Sequence, residues 1–555
     1  MKKLAAPVLL SGLLAVLLSG CTLGPAYERP VVPTPENHRG LEGPATEASL
    51  ADLAWWDAAK DPVLRGLLGE ALEKNRDLRI AAARVEEYRA LAGINNLFPT
   101  VAAGASAGRA RTSETVQLIP GGQTRSAFGL SASVAWEVDL WGRLRRTNEA
   151  AAAQYLATEE GRKGVYLSLV ADVATAYLQL RSLDEQLGIA RRTLESRKTS
   201  FDLIEKRLLG GVGNKLESSQ AASAVAQTEA AIPQLEQAVF AQENLLSLLL
   251  GRAPGPIERG SPIGEIRLYA VPAGLPSALL ERRPDVRQAE QALRAANAQV
   301  GIAEASLFPQ LSLTGDLGFQ SGDLSDLLKS GSFAWSAGAG LLAPIFQAGR
   351  LRRNLEASKA RWEQARLGYE KAVLAAFGDV STALNASRKT AEIVAAQRRN
   401  VEALKEAERL ALLRYDGGIS PYLEVLDSQR QLFSGELSYA ETLRDQRAAI
   451  VRLYRALGGG WKQAEQPAAT EPSPAGPSTP PEACARRRGR PGRRRSRSGR
   501  RSSDRRAPRR RRGSGEGPPP FGSGRGGGSF PSSRRRSSRR GGRPPTPYGL
   551  SLIHI

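Results

Sequence analysis

Apolar positions along this chain recur with two periods, and the two alternate in a fixed order that is used twice. From about residue 61 to 96, Leu64, Leu67, Leu68, Leu72, Leu78, Ala82 and Val85 return every three to four positions, the spacing of a helix with one buried stripe. Phe98-Pro99 ends that pattern. Between Ser126 and Leu140 the period drops to two: Phe128, Leu130, Ala132, Val134, Trp136 and Val138 alternate with Gly129, Ser131, Ser133, Glu137 and Asp139. A weaker alternation over 100–111 predicts a partner strand, joined to it by a polar, Gly-rich loop around Pro120-Gly121-Gly122. The stretch from Arg143 to Leu208 then runs without a proline to a break at Gly210-Gly211, and a second helix follows from about Lys215 to Leu250. At ~1.5 Å per residue the first of these helices reaches ~100 Å. That is too long for a compact domain, so the pair reads as a long antiparallel hairpin.

The plan then returns. Gly142-Arg143-Leu144-Arg145-Arg146 recurs as Gly349-Arg350-Leu351-Arg352-Arg353, a shift of 207 that also carries Asp172-Val173 onto Asp379-Val380, Gly210 onto Gly417, Leu216-Glu217 onto Leu423-Glu424 and Gly251 onto Gly458. Upstream, Leu97-Phe98-Pro99 matches Leu307-Phe308-Pro309 at a shift of 210. A period this long is a duplicated half-domain, because solenoid units repeat every ~20–50 residues. The second half therefore predicts strands over 310–320 and 333–341 and helices over 351–414 and 421–457. The expected divisions are 1–20 as an export signal, 21–60 as a lead, 61–251 and 277–461 as the two repeats with a linker over 252–276, and 462–555 as a tail.

The strands are ~10–13 residues long, enough to cross a bilayer at ~45°. Their second face is small and polar instead of charged, and Trp136, Trp141, Phe333, Trp335 and Phe346 sit where an interfacial girdle could form. Four strands cannot close a barrel, and an open edge is not tolerated in lipid. Several copies must therefore share one wall, and three copies would supply twelve strands. The alternative for the helices is a plain coiled coil, a periplasmic scaffold that transports nothing.

Charge changes the picture only at the C-terminal end. From residue 465 onward there are 23 Arg, no Lys and five acidic residues; removing them from totals of 78 basic and 56 acidic leaves 55 and 51, a net of +4. The body gives no ground for a nucleic-acid partner. The tail's Arg, Ser, Gly and Pro cannot bury enough apolar surface to fold. Its abrupt loss of Lys, and the closing Leu550-Ser551-Leu552-Ile553-His554-Ile555, read as a shifted reading frame running into adapter sequence.

At the other end, Lys2-Lys3 precedes an apolar run from Leu4 to Leu18, which closes Leu18-Ser19-Gly20-Cys21. That run is too short for a membrane span and fits an export signal. Small residues just before a cysteine predict cleavage and lipidation at Cys21, making the mature protein a lipoprotein. Cys484 is the other cysteine, so no disulfide is expected. The one histidine of the body, His38, reads as an ordinary surface residue. There is no phosphate-binding G-x-x-x-x-G-K run, no catalytic constellation, and no metal or cofactor site to expect. Energy for any transport must come from a partner.

Six ordered motifs carry a resemblance: Gly24-Pro25-Ala26-Tyr27-Glu28-Arg29-Pro30, Trp55-Trp56-Asp57, Glu281-Arg282-Arg283-Pro284-Asp285-Val286, Ile345-Phe346-Gln347-Ala348-Gly349-Arg350, Tyr422-Leu423-Glu424-Val425-Leu426-Asp427 and Leu457-Gly458-Gly459-Gly460-Trp461. Over residues 1 to about 462 the chain resembles the TolC-like outer membrane factor family, in its lipid-anchored multidrug branch. The resemblance implies a mainly α fold with a β-barrel part: long coiled-coil hairpins forming a trimeric α-barrel, and four strands per chain of a shared twelve-stranded transmembrane barrel. It implies a homotrimer in the outer membrane of a Gram-negative bacterium, working with a periplasmic adaptor and a proton-driven inner membrane pump to export small toxic compounds. A type I protein secretion duct is the alternative with the same fold.

The resemblance also assigns a periplasmic gate. Tyr415 matches a gate tyrosine, Leu423 a constricting residue, and Glu424 and Asp427 acidic rings at the pore entrance, with Glu217 the repeat mate of Glu424. Where some members carry an arginine that makes an interhelical salt bridge, this chain has Ser420. A plainer role for the acids is to complement a helix dipole, worth ~0.3–1 kcal/mol. The pairs Gly210-Gly211 and Gly417-Gly418 are expected to be turn-formers that need φ > 0.

Overall fold

The structure, a computed structural model, describes residues 22–41, 61–113, 124–267, 274 and 276–459. The chain divides into Met1–Ala468 and Ala469–Ile555, and every described residue lies in the first unit. The export signal, Cys21, Trp55-Trp56-Asp57, the loop over 114–123, Trp461 and the Arg-rich tail lie outside the described residues.

The duplicated sequence folds into the same order of elements twice. In the first half come α1 (Pro62–Lys74), α2 (Arg76–Ala92), β1 (Thr100–Arg111), β2 (Thr124–Val138), α3 (Arg143–Leu209) and α4 (Lys215–Leu249). In the second come α5 (Leu279–Arg282), α6 (Pro284–Ala305), β3 (Gln310–Ser321), β4 (Phe333–Leu342), α7 (Arg350–Asp416) and α8 (Tyr422–Ala456). Both α3 and α7 have 67 residues, and both α4 and α8 have 35. Among the described residues no helix is long and apolar enough to cross a membrane.

All four hairpin helices end alike. After α3, the N–H of Val212 reaches the carbonyl of Arg207 at 3.0 Å; after α7, Ile419 reaches Arg414 at 2.8 Å; Arg252 to Ser247 and Gly459 to Tyr454 repeat the bond at the ends of α4 and α8. This is a Schellman stop, which requires a left-handed residue just past the helix. Gly211, Gly418, Gly251 and Gly458 supply it, with φ of 76°, 69°, 72° and 89°. Only the second glycine of each tip pair therefore needs positive φ. Gly210 and Gly417 cap their helices at φ −74° and −77°.

The single helix expected over 61–96 is broken at Asn75. Its side chain accepts from the N–H of Leu78 and donates to the carbonyl of Leu249 at 2.8 Å, capping α2 and tying the break to the end of α4. Gly251 fits against this break so closely that a Cβ there would stand 2.3 Å from the carbonyl oxygen of Lys74. The break is thus a tertiary feature, made by a contact 174 residues away in sequence.

The core lies where α1, α3, α4, α7 and α8 meet, around Leu64, Tyr177, Leu178, Leu246, Val380 and Leu453. Asp61 is its buried polar pin. Its carboxylate accepts from the N–H groups of Val63 and Leu64, from the Tyr177 hydroxyl and from the N–H of Ser261. Burial raises the Tyr177 phenol to about 12, so it remains the hydrogen donor in this contact at any physiological pH.

Candidate functional site: the hairpin tips and the sheet faces

The four strands form one antiparallel sheet in the order β1-β2-β3-β4, so the two halves join along β2 and β3, and among the described residues both outer edges lack a partner. Register sorts the side chains. Val134 lies opposite Val101 and Gly315, Leu130 opposite Ala105 and Phe319, and Leu317 opposite Trp335, which places the apolar positions of all four strands on one face. The other face carries Gly104, Ser106, Ser131, Ser133, Ser312, Thr314, Gly338 and Gly340. In its middle Asp316 is the charged exception, within 3.4 Å of the Ser336 hydroxyl. At the helix end of the sheet, indole N–H groups tie strands to turns: Trp136 donates to the carbonyl of Leu97 at 2.8 Å and Trp141 to that of Pro309 at 2.7 Å.

The N-terminal segment is strapped to that same junction. The N–H of Leu23 donates to the carbonyl of Trp141 at 3.1 Å, and the Arg146 guanidinium gathers the carbonyls of Leu23, Gly24 and Pro25. Asn297 adds a bond to Pro25, and a Cβ on Gly24 would stand 2.5 Å from the Cα of Gly301. Thr22, the neighbour of Cys21, packs against Gly142 between β2 and α3. Farther along the strap, His38 is not the surface residue expected. It is 3% exposed, neither ring nitrogen has a partner among the described residues, and burial lowers its pKa.

The far ends of the hairpins share a small core of their own, in which Ile204 of α3 and Ala221 of α4 pack with Ala411 and Tyr415 of α7 and Tyr422 and Val425 of α8. Tyr415 is 8% exposed and meets Tyr422 edge-to-face at 5.5 Å. The Arg207 guanidinium sits 4.8 Å above the Tyr415 ring and 3.9 Å from the carboxylate of Asp416. One arginine of the first hairpin therefore holds two residues of the second. Burial, with the nearby charge of Glu217 adding to it, raises the pKa of Tyr422.

The predicted acids have partners. Glu424 pairs with Arg414 across the turn at 3.1 Å. Asp427 binds Arg430 and Gln431 of its own helix, each at 2.6 Å. Glu217 is half-buried in the first turn of α4, and Leu423 is 57% exposed. Thus Tyr415 joins the tip core, Leu423 projects from it, and Glu424 and Asp427 lie on its solvent side. Among the described residues the buried hydroxyl of Ser420 has no partner, and Arg207 joins the two hairpins beside it.

Two tip residues escaped the sequence reading. Arg207 lies in an ordinary run of charged positions, and nothing local marks it. Arg197 could have been found, because its repeat mate is Leu404, a cation where the other half is apolar. Arg197 is buried, donates to the Ala224 carbonyl and the Thr228 hydroxyl, and lies 5.4 Å from the Phe433 ring of α8. Burial lowers its pKa. Through the Phe433 ring it links the first hairpin to the second. Among the described residues no group of three or more potential ligands could hold a metal ion.

These features agree with what the chain is similar to. A family profile described as outer membrane efflux protein matches residues 67–252 and 275–459. The toluene efflux pump outer membrane protein TtgI of Pseudomonas putida is 39% identical over 457 residues, covering 80% of this chain and 97% of that protein. Among solved structures, the outer-membrane channel OprN is matched with a TM-score of 0.73 and 34% identity, over 80% of this chain and all 100% of that one. The open state of the MtrE outer membrane channel of Neisseria gonorrhoeae also gives a TM-score of 0.73 at 34% identity, over 79% of this chain and 98% of that one.

Proposed function

The chain belongs to the outer membrane efflux protein family, and from that premise we propose that three copies form a passive, gated duct through which an efflux pump discharges small apolar compounds. The observation that carries this reading is the open sheet: four strands, mainly apolar on one face, where Arg109 and Arg111 of β1 are charged positions, and small or polar on the other, with both edges unpaired among the described residues. In lipid such edges must find partners, and identical copies joined head to tail provide them in a closed ring. The apolar face then meets lipid and the small, polar face lines the lumen.

That lining explains how a duct can pass apolar cargo without retaining it. Gly, Ser and Thr offer no apolar patch on which a solvent-like molecule would rest, so passage depends on the gradient that a pump maintains. The proton-driven inner membrane pump and a periplasmic adaptor supply what this chain lacks, and the protein itself catalyses no reaction. The apolar cargo class follows the toluene efflux of its relative TtgI.

The tip is the gate in this reading. Arg207, Tyr415 and Asp416 hold the hairpins together, while Glu424, Asp427 and Glu217 from three copies surround the entrance and favour cations. Cys21 carries the lipid anchor, and the strap at Trp141 and Gly142 would deliver that anchor to the membrane surface. Purified protein in planar bilayers is the test. Cation-selective conductance that changes in Asp427→Asn supports the gate, and material that never conducts refutes the duct.

A further inference from the structure

The two halves of the chain differ in charge where their long helices begin. Gly142-Arg143-Leu144-Arg145-Arg146 and its mate over 349–353 open α3 and α7 alike, each from a left-handed glycine, with φ of 77° and 80°. In the first half every arginine is held. Arg143 donates to both carboxylate oxygens of Glu137, Arg145 pairs with Asp139 at 3.1 Å, and Arg146 donates to the strap carbonyls and to Glu149. In the second half two of the acids are gone, because the mate of Glu137 is Pro344 and that of Asp139 is Phe346. Residues 137–155 carry three arginines and three acids; their mates over 344–362 carry four arginines, one lysine and one acid, a net of +4. Among the described residues the Arg350 guanidinium reaches only the side chain of Gln347, and those of Arg352 and Arg353 have no hydrogen-bond or ion-pair partner.

We infer that Arg350, Arg352 and Arg353 bind the phosphate groups of anionic phospholipids at the periplasmic face of the outer membrane. This inference rests on the reading above that the strands stand in lipid and that Cys21 carries the anchor. The anchor fixes the level. Thr22, the neighbour of Cys21, packs against Gly142, so headgroups lie near the start of α3. Gly349 is the mate of Gly142, and the three arginines follow it within about 6 Å along the helix axis. The strap fixes the direction. Because it leads to a cysteine whose acyl chains enter the bilayer, it runs over the outside of the wall, and Arg146, which gathers its carbonyls, faces outward. Arg353 takes the position of Arg146 one repeat later, and Arg350, three residues before it, shares its face.

Charge and order along the chain fit this ligand. A guanidinium presents paired N–H donors that match phosphate oxygens, and here no carboxylate has to be displaced first. Ile345 and Phe346, just before the arginines, are exposed apolar side chains. They stand on the membrane side of the basic group, so apolar and basic positions follow one another as acyl chain and headgroup do in a lipid. The glycolipid phosphates of the outer leaflet lie at the other end of β4, ten residues of strand away. Basic residues at this level attract anionic lipid by about fivefold in affinity for each arginine.

Native mass spectrometry of the full-length protein, released from mild detergent and titrated with phosphatidylglycerol or phosphatidylcholine, tests the site. Phosphatidylglycerol should bind at least about tenfold more tightly, by a margin that narrows as ammonium acetate is raised. Arg350→Gln with Arg353→Gln should weaken phosphatidylglycerol by about twenty-five-fold and leave phosphatidylcholine unchanged, while Arg350→Lys with Arg353→Lys should keep most of the preference. Pro344→Glu with Phe346→Asp restores the acids of the first half and leaves every arginine in place. It should also abolish the preference, which gives a second route if the glutamine variant does not assemble. Equal affinity for the two lipids, or a glutamine variant that keeps the parental preference, overturns the inference. So does a glutamine variant that loses stability without any change in lipid binding, the sign that acids of a neighbouring copy hold these arginines. Protein that conducts but shows no preference overturns the lipid site and leaves the duct standing; protein that never conducts overturns the duct itself.

Discussion

Replacing Arg207 with glutamine should open the tip, and the size of the effect can be worked out from its contacts. The guanidinium lies 4.8 Å from the Tyr415 ring, a contact worth about 0.5–1 kcal/mol when exposed and more when desolvated. Its ion pair with Asp416 spans 3.9 Å between groups that are one-third and more than half exposed, so it adds only about 0–1 kcal/mol. The loss is about 1–2 kcal/mol per copy. If three copies open together, about 3–6 kcal/mol leaves the closed state, or about two to four decades in the open-to-closed ratio. Single-channel recording in planar bilayers should show Arg207→Gln dwelling in high-conductance states that the parent visits rarely. Asp416→Asn, which removes only the ion pair, loses about 0–1 kcal/mol per copy and should shift the ratio by at most about two decades over three copies. An Arg207→Gln channel with parental dwell times, or one less perturbed than Asp416→Asn, would refute the idea that this side chain holds the gate.

Three further outcomes follow from local geometry. Gly251→Ala and Gly211→Ala both force a Cβ onto a left-handed residue, about 1 kcal/mol, but only at Gly251 does the new atom meet backbone, at 2.3 Å from Lys74; thermal unfolding should show a severe loss for the first and a mild one for the second. His38 is buried with a lowered pKa, so the unfolded chain takes up its proton first, near pH ~6.5; stability is fully present above that value and is lost as pH falls below it. His38→Gln should flatten the change in melting temperature between pH 7.5 and 5.5, roughly the window set by that ordinary value. Cys21→Ser should abolish incorporation of labelled palmitate; undiminished labelling would place the anchor elsewhere.

The periodic elements were legible because their signals are long and local. The 207-residue shift predicted α7 and α8 from α3 and α4, and alternation in Ser126 to Leu140 placed β2 and its faces. What could not be read depends on contacts distant in sequence. Nothing around Asn75 announces that a carbonyl at Leu249 will break the first helix there. His38 sits in a polar, Pro-rich lead that reads as surface, yet it is buried where the nearby Leu41 packs against the main core, a contact nothing in that stretch announces. The tip glycines were half legible: the pairs mark the turns, but the Schellman bond decides that Gly211 and Gly418 alone carry positive φ. Glu424 and Asp427 were named from resemblance alone, while their partners Arg414 and Arg430 emerge only once the helices are built.

The central claim is that one chain brings too little wall to enclose a lumen and that identical copies complete it. Electron cryo-microscopy of the purified protein in lipid nanodiscs tests this most directly. Three copies should surround one continuous channel, with twelve strands in the membrane and the hairpin tips converging at the far end. A single copy, or a bundle with no lumen through the strands, would contradict it.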